Sequence, residues 1–335
     1  MAHLLPTGEA GIAEAAARLR AGRLVAFPTE TVYGLGARAS DPGAVAAVFR
    51  AKGRPAEHPL IVHLARPVEV DDWADPVPFG ARVLAERFWP GPLTLVLARA
   101  AHVPDVITGG QPTIALRLPA HPVAAALLAR VGGGVAAPSA NRFGRVSPTR
   151  AAHVLDEFPD ADIGVLDGGD CEVGLESTIL DLSGPHPRVL RPGAVDAASL
   201  AAALGRSVPV AGAASDRPRA PGGLPSHYAP GTPTRLGVPA ELGRAGAVPH
   251  GAALLLHQAE APAGHRGPVR QLPPAPEGYA RGLYAALREL DAAGAELLWV
   301  ERPPEGSAWA AVHDRLQRAC APVGRDRPGP EEERG

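Results

Sequence analysis

Apolar residues in this chain fall into short runs that alternate with longer, helically spaced stretches. Between Glu9 and Ala21, Ile12, Ala16 and Leu19 recur at helical spacing and Gly22 supplies a stop, so this segment reads as an amphipathic helix. Arg23 to Phe27 then reads as a strand. Asp41-Pro42 starts a second helix, since aspartate caps free N–H groups and proline suits a first helical position. The apolar run over 59–64 reads as a strand carrying His63. Residues 79–88 read as a helix, Trp89-Pro90-Gly91-Pro92 as a rigid turn, and 93–98 and 113–118 as buried strands. A helix over 121–131 stops at three glycines, and a short strand at 135–137 runs into Pro138-Ser139-Ala140-Asn141. A helix over 149–157 and strands over 164–166, 177–182 and 188–191 complete this part. Strands and helices alternate, yet several strands meet with no helix between them. That predicts an α/β fold with a mixed sheet.

From 205 to 239 the pattern breaks into a stretch rich in proline and glycine, which holds no regular element for long and reads as a linker. His227-Tyr228 in its middle is a costly choice for a plain tether. A strand at 252–257, a helix at 279–293 marked by Leu283, Leu287 and Leu290, a strand at 296–300 and a helix at 309–319 then form a small βαβα unit. The expected domains are therefore 1–204, a linker over 205–239, a small α/β domain over 240–323, and a disordered, charged tail over 324–335.

Length and charge sharpen this picture. The 335 residues favour two domains, and 46% apolar against 20% charged residues suits a soluble globular protein. A net charge of −2 lacks the basic excess of a dominant nucleic-acid binder, so any contact with tRNA or double-stranded RNA is expected to be weak and transient. Cys171 and Cys320 are far apart and lack metal-ligand spacing, which fits a reducing compartment. No basic leader precedes an apolar core, and no apolar run approaches ~18 residues. A cytoplasmic protein without membrane contact is the expectation.

The chain carries no G-x-x-x-x-G-K-[ST] loop, and Gly34-Leu35-Gly36 lacks the third glycine of a dinucleotide fingerprint. It also has no HExxH, no paired CxxC and no nucleophile elbow. An enzyme of this composition works by positioning and electrostatics. Four groups suit such chemistry, and each also has an ordinary structural explanation. Lys52-Gly53-Arg54 offers a point charge, a bidentate fork and close backbone approach to phosphate, or simply cations at a helix C-terminus. Ser139 and Asn141, with Ser147, are polar groups at a strand end, or a capping turn. Arg117 inside an apolar strand can fix a carboxylate, or lie at the surface. Glu176-Ser177-Thr178 and Arg191-Pro192-Gly193 open one strand and close the next, where turn chemistry is the alternative. His58 and His63 lack helical ligand spacing and a third partner, so no protein-held metal is expected.

Taken together, FPTETVYGLG, KGRPAEHPLIVH, PSANRFGRVSPT, ESTILDL and VLRPGAV resemble the YrdC-like family in order and spacing, over about residues 8–320. With the linker and the small domain, the chain resembles that family's long two-domain form. The resemblance implies a twisted mixed sheet flanked by helices, then a linker that covers the active site and a small Rossmann-like domain. It implies a nucleotidyltransferase that condenses L-threonine, bicarbonate or CO2, and ATP with its Mg2+ to threonylcarbamoyl-adenylate and pyrophosphate. The product would pass to the tRNA threonylcarbamoyl-transferase machinery. The carbamate oxygen would attack the α-phosphate with no covalent enzyme intermediate. By the same resemblance, Thr31, His63, Arg117, Ala137 and Ser177 form the threonine pocket. Lys52, Arg54, His58, Thr113, Ser139, Asn141, Ser147, Arg191 and Tyr228 meet ATP, with Lys52 and Arg54 as the catalytic cations. Position 58 is His where many members carry Asn, and PGGLPSHYAP lacks the basic residues of the PGMKYRHYAP version.

Overall fold

Two sheets organise the chain in the computed structural model, whose described residues are 1–212, 218–223, 227–242, 244 and 247–321. The expected tail at 324–335 lies outside them. The first domain opens with β1 (His3–Leu4), α1 (Gly8–Arg20), β2 (Leu24–Phe27), β3 (Gly34–Arg38), α2 (Pro42–Lys52) and β4 (Ile61–His63). It continues through α3 (Phe79–Phe88), β5 (Leu93–Ala98), α4 (Asp105–Thr108), β6 (Thr113–Arg117), α5 (Pro122–Val131) and β7 (Val135–Ala136). It closes with α6 (Ala151–Glu157), β8 (Ile163–Val165), β9 (Thr178–Asp181), β10 (Arg188–Arg191) and α7 (Ala197–Leu204).

These ten strands lie in the order β1-β8-β2-β3-β7-β4-β6-β5-β9-β10. Pairing is mixed, as expected: β4 runs parallel to β6, while β5 is antiparallel to β6 and parallel to β9. All four residues of β2 are buried, and Ala15, Ala16 and Leu19 of α1 pack with Leu127 and Leu128 of α5 on one face. Helix α2 starts as its sequence dictates. Asp41 accepts from the Gly43 and Ala44 amides at 2.9 and 3.1 Å, and Gly53 ends the helix at a φ of 60°.

Two elements differ from the reading by pattern. Gly34 and Gly36 lie inside strand β3, where a Cβ on Gly36 would sit 2.9 Å from the Phe27 ring and 3.0 Å from Val135. The glycines therefore admit a buried aromatic ring from the neighbouring strand. The second difference is β11 (Thr234–Gly237), which falls inside the stretch read as linker. Its residues are half exposed, so the apolar signal is weak. The hydrogen bonds that define it come from a distant strand.

That strand belongs to the second domain, which adds α8 (Pro239–Leu242), β12 (Ala253–Leu256), β13 (Val269–Gln271), α9 (Pro276–Asp291), β14 (Leu298–Glu301) and α10 (Ala310–Ala319). Its sheet is parallel throughout, in the order β11-β14-β12-β13. The two domains share apolar packing. Val32, Val146 and Leu175 of the first join Tyr228 and the Leu283, Tyr284 and Leu287 face of α9 in one buried cluster. Among the described residues, no helix is long and apolar enough to cross a membrane.

Candidate active site

Strand ends along one side of the first sheet supply a cavity of about 40 Å3. The register explains the convergence. His63 pairs with Arg117 across the parallel strands β4 and β6, so both side chains leave the sheet together. The turn after β2 adds Thr29 and Thr31, the residue after β7 adds Ala137, Ser177 precedes β9, and Arg191 closes β10.

One half of the cavity is built around Arg117. Its Nη2 donates to the buried Glu30 carboxylate at 2.7 Å and its Nη1 to the Thr31 hydroxyl at 2.9 Å. Glu30 in turn accepts from the Ala120 amide at 3.0 Å, so the acid fixes both the cation and the strand end. Thr31 shares a hydrogen bond with Thr29 at 2.8 Å. His63 lies edge-on to Phe27, and burial, reinforced by Arg117, brings its pKa down to about 3. It is a neutral imidazole at any ordinary pH. Its Nδ1 has no hydrogen-bond partner among the described residues.

The other half is cationic. Arg191 donates from Nε and Nη2 to the Ser177 carbonyl at 3.1 and 2.9 Å, from Nη2 to the Ser177 hydroxyl at 3.1 Å, and from Nη1 to the Pro221 carbonyl at 3.1 Å. Ser177 also shares a 2.7 Å hydrogen bond with Thr94. Arg54 donates to the Pro59 carbonyl at 3.1 Å and sits 5.8 Å from the Phe143 ring centroid. Its Nε has no partner among the described residues. Burial, opposed by the Tyr228 phenol and reinforced by Arg191, lowers its pKa to about 10, so it stays charged at neutral pH.

Of the residues singled out from sequence, Thr31, Arg54, His63, Arg117, Ala137, Ser139, Ser177, Arg191 and Tyr228 line this cavity. Lys52, His58, Thr113, Asn141 and Ser147 do not. The Lys52 ammonium, buried, donates to the Ser139 carbonyl at 2.6 Å and to the Asn141 carbonyl. Burial, with Arg54 nearby, holds its pKa well below the usual lysine value. It clamps the 138–141 turn from beneath. Ser147 donates to Glu176 at 2.6 Å, Asn141 donates to the Arg142 and Arg145 carbonyls, and Thr113 is buried at the start of β6. His58 is half-buried with its ring 5.4 Å from Phe143. The linker enters directly: His227 and Tyr228 form one wall, with Pro221 and Gly222 beside them.

Sequence reasoning missed the partners. Glu30 lies in plain view between two threonines, and an acid two residues into a hydroxyl-rich turn was the available signal. Glu176 stands in one of the four groups suited to chemistry but carries no assigned role, yet it lines the cavity and accepts from Ser147, Tyr284 and Arg315. Tyr284 and Arg315 come from the second domain, and no local pattern marks them. Among the described residues, no group of three or more His, Cys, Asp or Glu could hold a metal ion.

Strand ends of one mixed sheet thus gather hydroxyl, neutral imidazole and guanidinium groups around one cavity, a lining suited to small charged ligands. The family model Sua5_yciO_yrdC, described as Telomere recombination, matches residues 17–193, and a model described as Threonylcarbamoyl-AMP synthase, C-terminal domain, matches 195–321. The chain belongs to this family, in its two-domain form, and is an enzyme of the nucleotidyltransferase type. A Threonylcarbamoyl-AMP synthase of Pyrococcus abyssi is 40% identical over 325 residues, covering 91% of this chain and 92% of that protein. One of Bacillus subtilis is 37% identical over 335 residues, covering 94% of each. The crystal structure of P. abyssi Sua5 complexed with L-threonine superposes with a TM-score of 0.85 at 38% identity, covering 96% of this chain and 97% of that one.

Proposed function

We propose that the cavity aligns L-threonine, as its carbamate, with ATP, and that the carbamate oxygen attacks the α-phosphate to give threonylcarbamoyl-AMP and pyrophosphate. The observation that carries this reading is the division of one cavity into a half with Arg117, Thr31 and neutral His63 and a half with Arg54, Arg191 and Ser139. Arg117 suits the amino acid's carboxylate. Glu30 and Thr31 fix its orientation, so a carboxylate would meet a guanidinium that is already aimed. Neutral His63 can accept a hydrogen bond without repelling the amine that must capture CO2. Ala137 offers its backbone beside it.

Arg54 and Arg191 suit the phosphates, where charge grows as pyrophosphate departs. Lys52, engaged with two carbonyls, acts by aiming the Ser139 turn. A direct contact of Lys52 with the α-phosphate requires it to exchange one of those carbonyls for the nucleotide. An accompanying Mg2+ would supply counter-charge to the ATP phosphates, a task that Arg54 and Arg191 of the cationic half would share. Small-molecule pockets usually span roughly 300–1,000 Å3, far more than the 40 Å3 left under the linker. ATP therefore enters only when Tyr228 withdraws, and return of the linker then excludes water from the adenylate.

The test is pyrophosphate release from ATP with each reactant omitted in turn. Release that needs both L-threonine and bicarbonate is the expected result, and release indifferent to threonine refutes the reading.

A further inference from the structure

Arg315 sits on α10 of the second domain, yet its side chain is fully buried against the first, with 0% exposure. Its Nε donates to Glu176 Oε2 at 2.8 Å and its Nη2 to the Pro192 carbonyl at 3.0 Å. The same guanidinium lies 5.2 Å from the centroid of the Tyr228 ring. Tyr284, on α9, meets that ring from another side: the centroids are 5.8 Å apart, the planes are 28° from parallel, and its hydroxyl donates to Glu176 Oε2 at 2.9 Å. Tyr228 thus stands in a socket whose floor is a first-domain carboxylate and whose walls are second-domain side chains.

Tyr228 needs such a socket. Its φ of 58° is left-handed, which costs a residue with a Cβ about 1–2 kcal/mol. Its hydroxyl is lodged over Gly222, where a Cβ would lie 2.0 Å from it, and close to Arg191. Outside contacts must hold the conformation. A lysine in place of Arg315 could match the charge of Glu176. It could not also present a flat face to a phenol while forking to a carboxylate and a carbonyl.

We propose that Arg315 and Tyr284 are positioning residues, through which the second domain holds Tyr228 down over the cavity and sets the fraction of molecules open to the nucleotide. This rests on the reading of the cavity as an ATP site. With Tyr228 seated, the cavity is about 40 Å3, so the apparent affinity for a nucleotide falls by the fraction of chains whose socket is empty. Loosening the socket raises that fraction. ATP then binds more tightly while turnover, which needs the linker back in place, declines. A residue that touched ATP directly would show the opposite sign on removal, and a purely architectural ion pair would change stability alone.

The experiment is calorimetric titration of the full-length chain with α,β-methylene-ATP, using wild type, Arg315→Lys and Tyr284→Phe. Arg315→Lys keeps a charge beside Glu176 but loses the fork and the stack, and Tyr284→Phe keeps the ring but loses the hydroxyl. The expected result is an apparent Kd lowered about threefold to tenfold in Arg315→Lys, the usual range for residues in contact, and less in Tyr284→Phe. Hydrogen exchange in the 227–230 segment, where the Ala229 amide donates to the Gly144 carbonyl at 2.9 Å, should quicken in step. An unchanged or weaker Kd in folded Arg315→Lys overturns the proposal; should that variant fail to fold, Tyr284→Phe decides by the same criterion. Failure of the wild type and of both folded variants to bind the analogue refutes the nucleotide reading itself.

Discussion

Arg191 joins both halves of the cavity and the linker through one side chain, and replacing it with lysine isolates what its geometry contributes. Among the described residues, the guanidinium donates two hydrogen bonds to the Ser177 carbonyl, one to the Ser177 hydroxyl and one to the Pro221 carbonyl. Those acceptors lie on two sides of a planar fork. An ammonium is a single point and can retain about two of the four. Each lost bond to a charged donor is worth about 1.5–3 kcal/mol, so the loss is about 3–6 kcal/mol before the neighbours relax. Part of this appears as a lower unfolding temperature. The rest falls on catalysis, because Ser177 faces the proposed threonine half while Pro221 and Tyr228 close the nucleotide half.

Arg191→Lys should therefore lower kcat/KM for both ATP and L-threonine by about a hundredfold, the equivalent of roughly 3 kcal/mol. The assay is threonine-dependent pyrophosphate release with each substrate varied, alongside thermal unfolding. Arg206→Lys serves as a control, since Arg206 is exposed and its side chain donates to the Pro185 carbonyl, away from the cavity. A variant at Arg191 with kinetics close to wild type for both substrates would refute the claim that charge alone is insufficient there.

Other consequences follow from the same contacts. Arg54→Ala and Lys52→Ala should each reduce turnover by about tenfold or more, as loss of a cation or its support does in phosphoryl chemistry; pyrophosphate release measures both, and wild-type rates in both refute the phosphate assignment. The buried His63 should make the fold acid-sensitive. Its pKa falls from 6.5 to about 3 on folding, so the penalty is absent above pH 6.5 and grows as the pH falls toward 3, to on the order of 5 kcal/mol in all. Urea midpoints across that window test it, and His63→Asn should flatten the dependence. Gly36→Ala places a methyl 2.9 Å from the Phe27 ring, an overpacking that should cost about 1–3 kcal/mol in thermal unfolding without a charge being touched.

The sequence displayed the site wherever a polar residue interrupts an apolar run. His63, Arg117 and Arg191 stand at the ends of strands whose interior residues are apolar, and a continuously buried run makes a terminal polar residue visible. What pattern could not show is what those residues hold. Lys52 reads as a phosphate cation because nothing local reveals that the 138–141 turn lies beneath its ammonium, 87 residues on in the Ser139 hydrogen bond. Arg315 sits on an amphipathic helix, where a charged residue ordinarily faces water. Only the packing of two domains turns it inward, 139 residues from Glu176. Strand β11 escaped for the same reason: its hydrogen bonds come from β14, and its own residues are too polar to announce burial.

The cations of this site are already engaged within the protein. Arg117 is balanced by Glu30, Arg191 is coordinated by carbonyls, and Lys52 is clamped to a turn. Neutral His63 cannot change charge near pH 7. Charge is therefore fixed before any substrate arrives, which would remove the reorganisation that water requires in the proposed attack on the α-phosphate. The groups left with unused hydrogen-bonding capacity at the cavity are few. Arg54 Nε, His63 Nδ1 and His227 Nδ1 are buried and lack partners among the described residues, a state that costs about 1–3 kcal/mol for each group. One lies in each half and one on the linker. A ligand that satisfied all three would bridge the two halves and the linker, so the cost of leaving them unpaired in the empty protein would be recovered on binding.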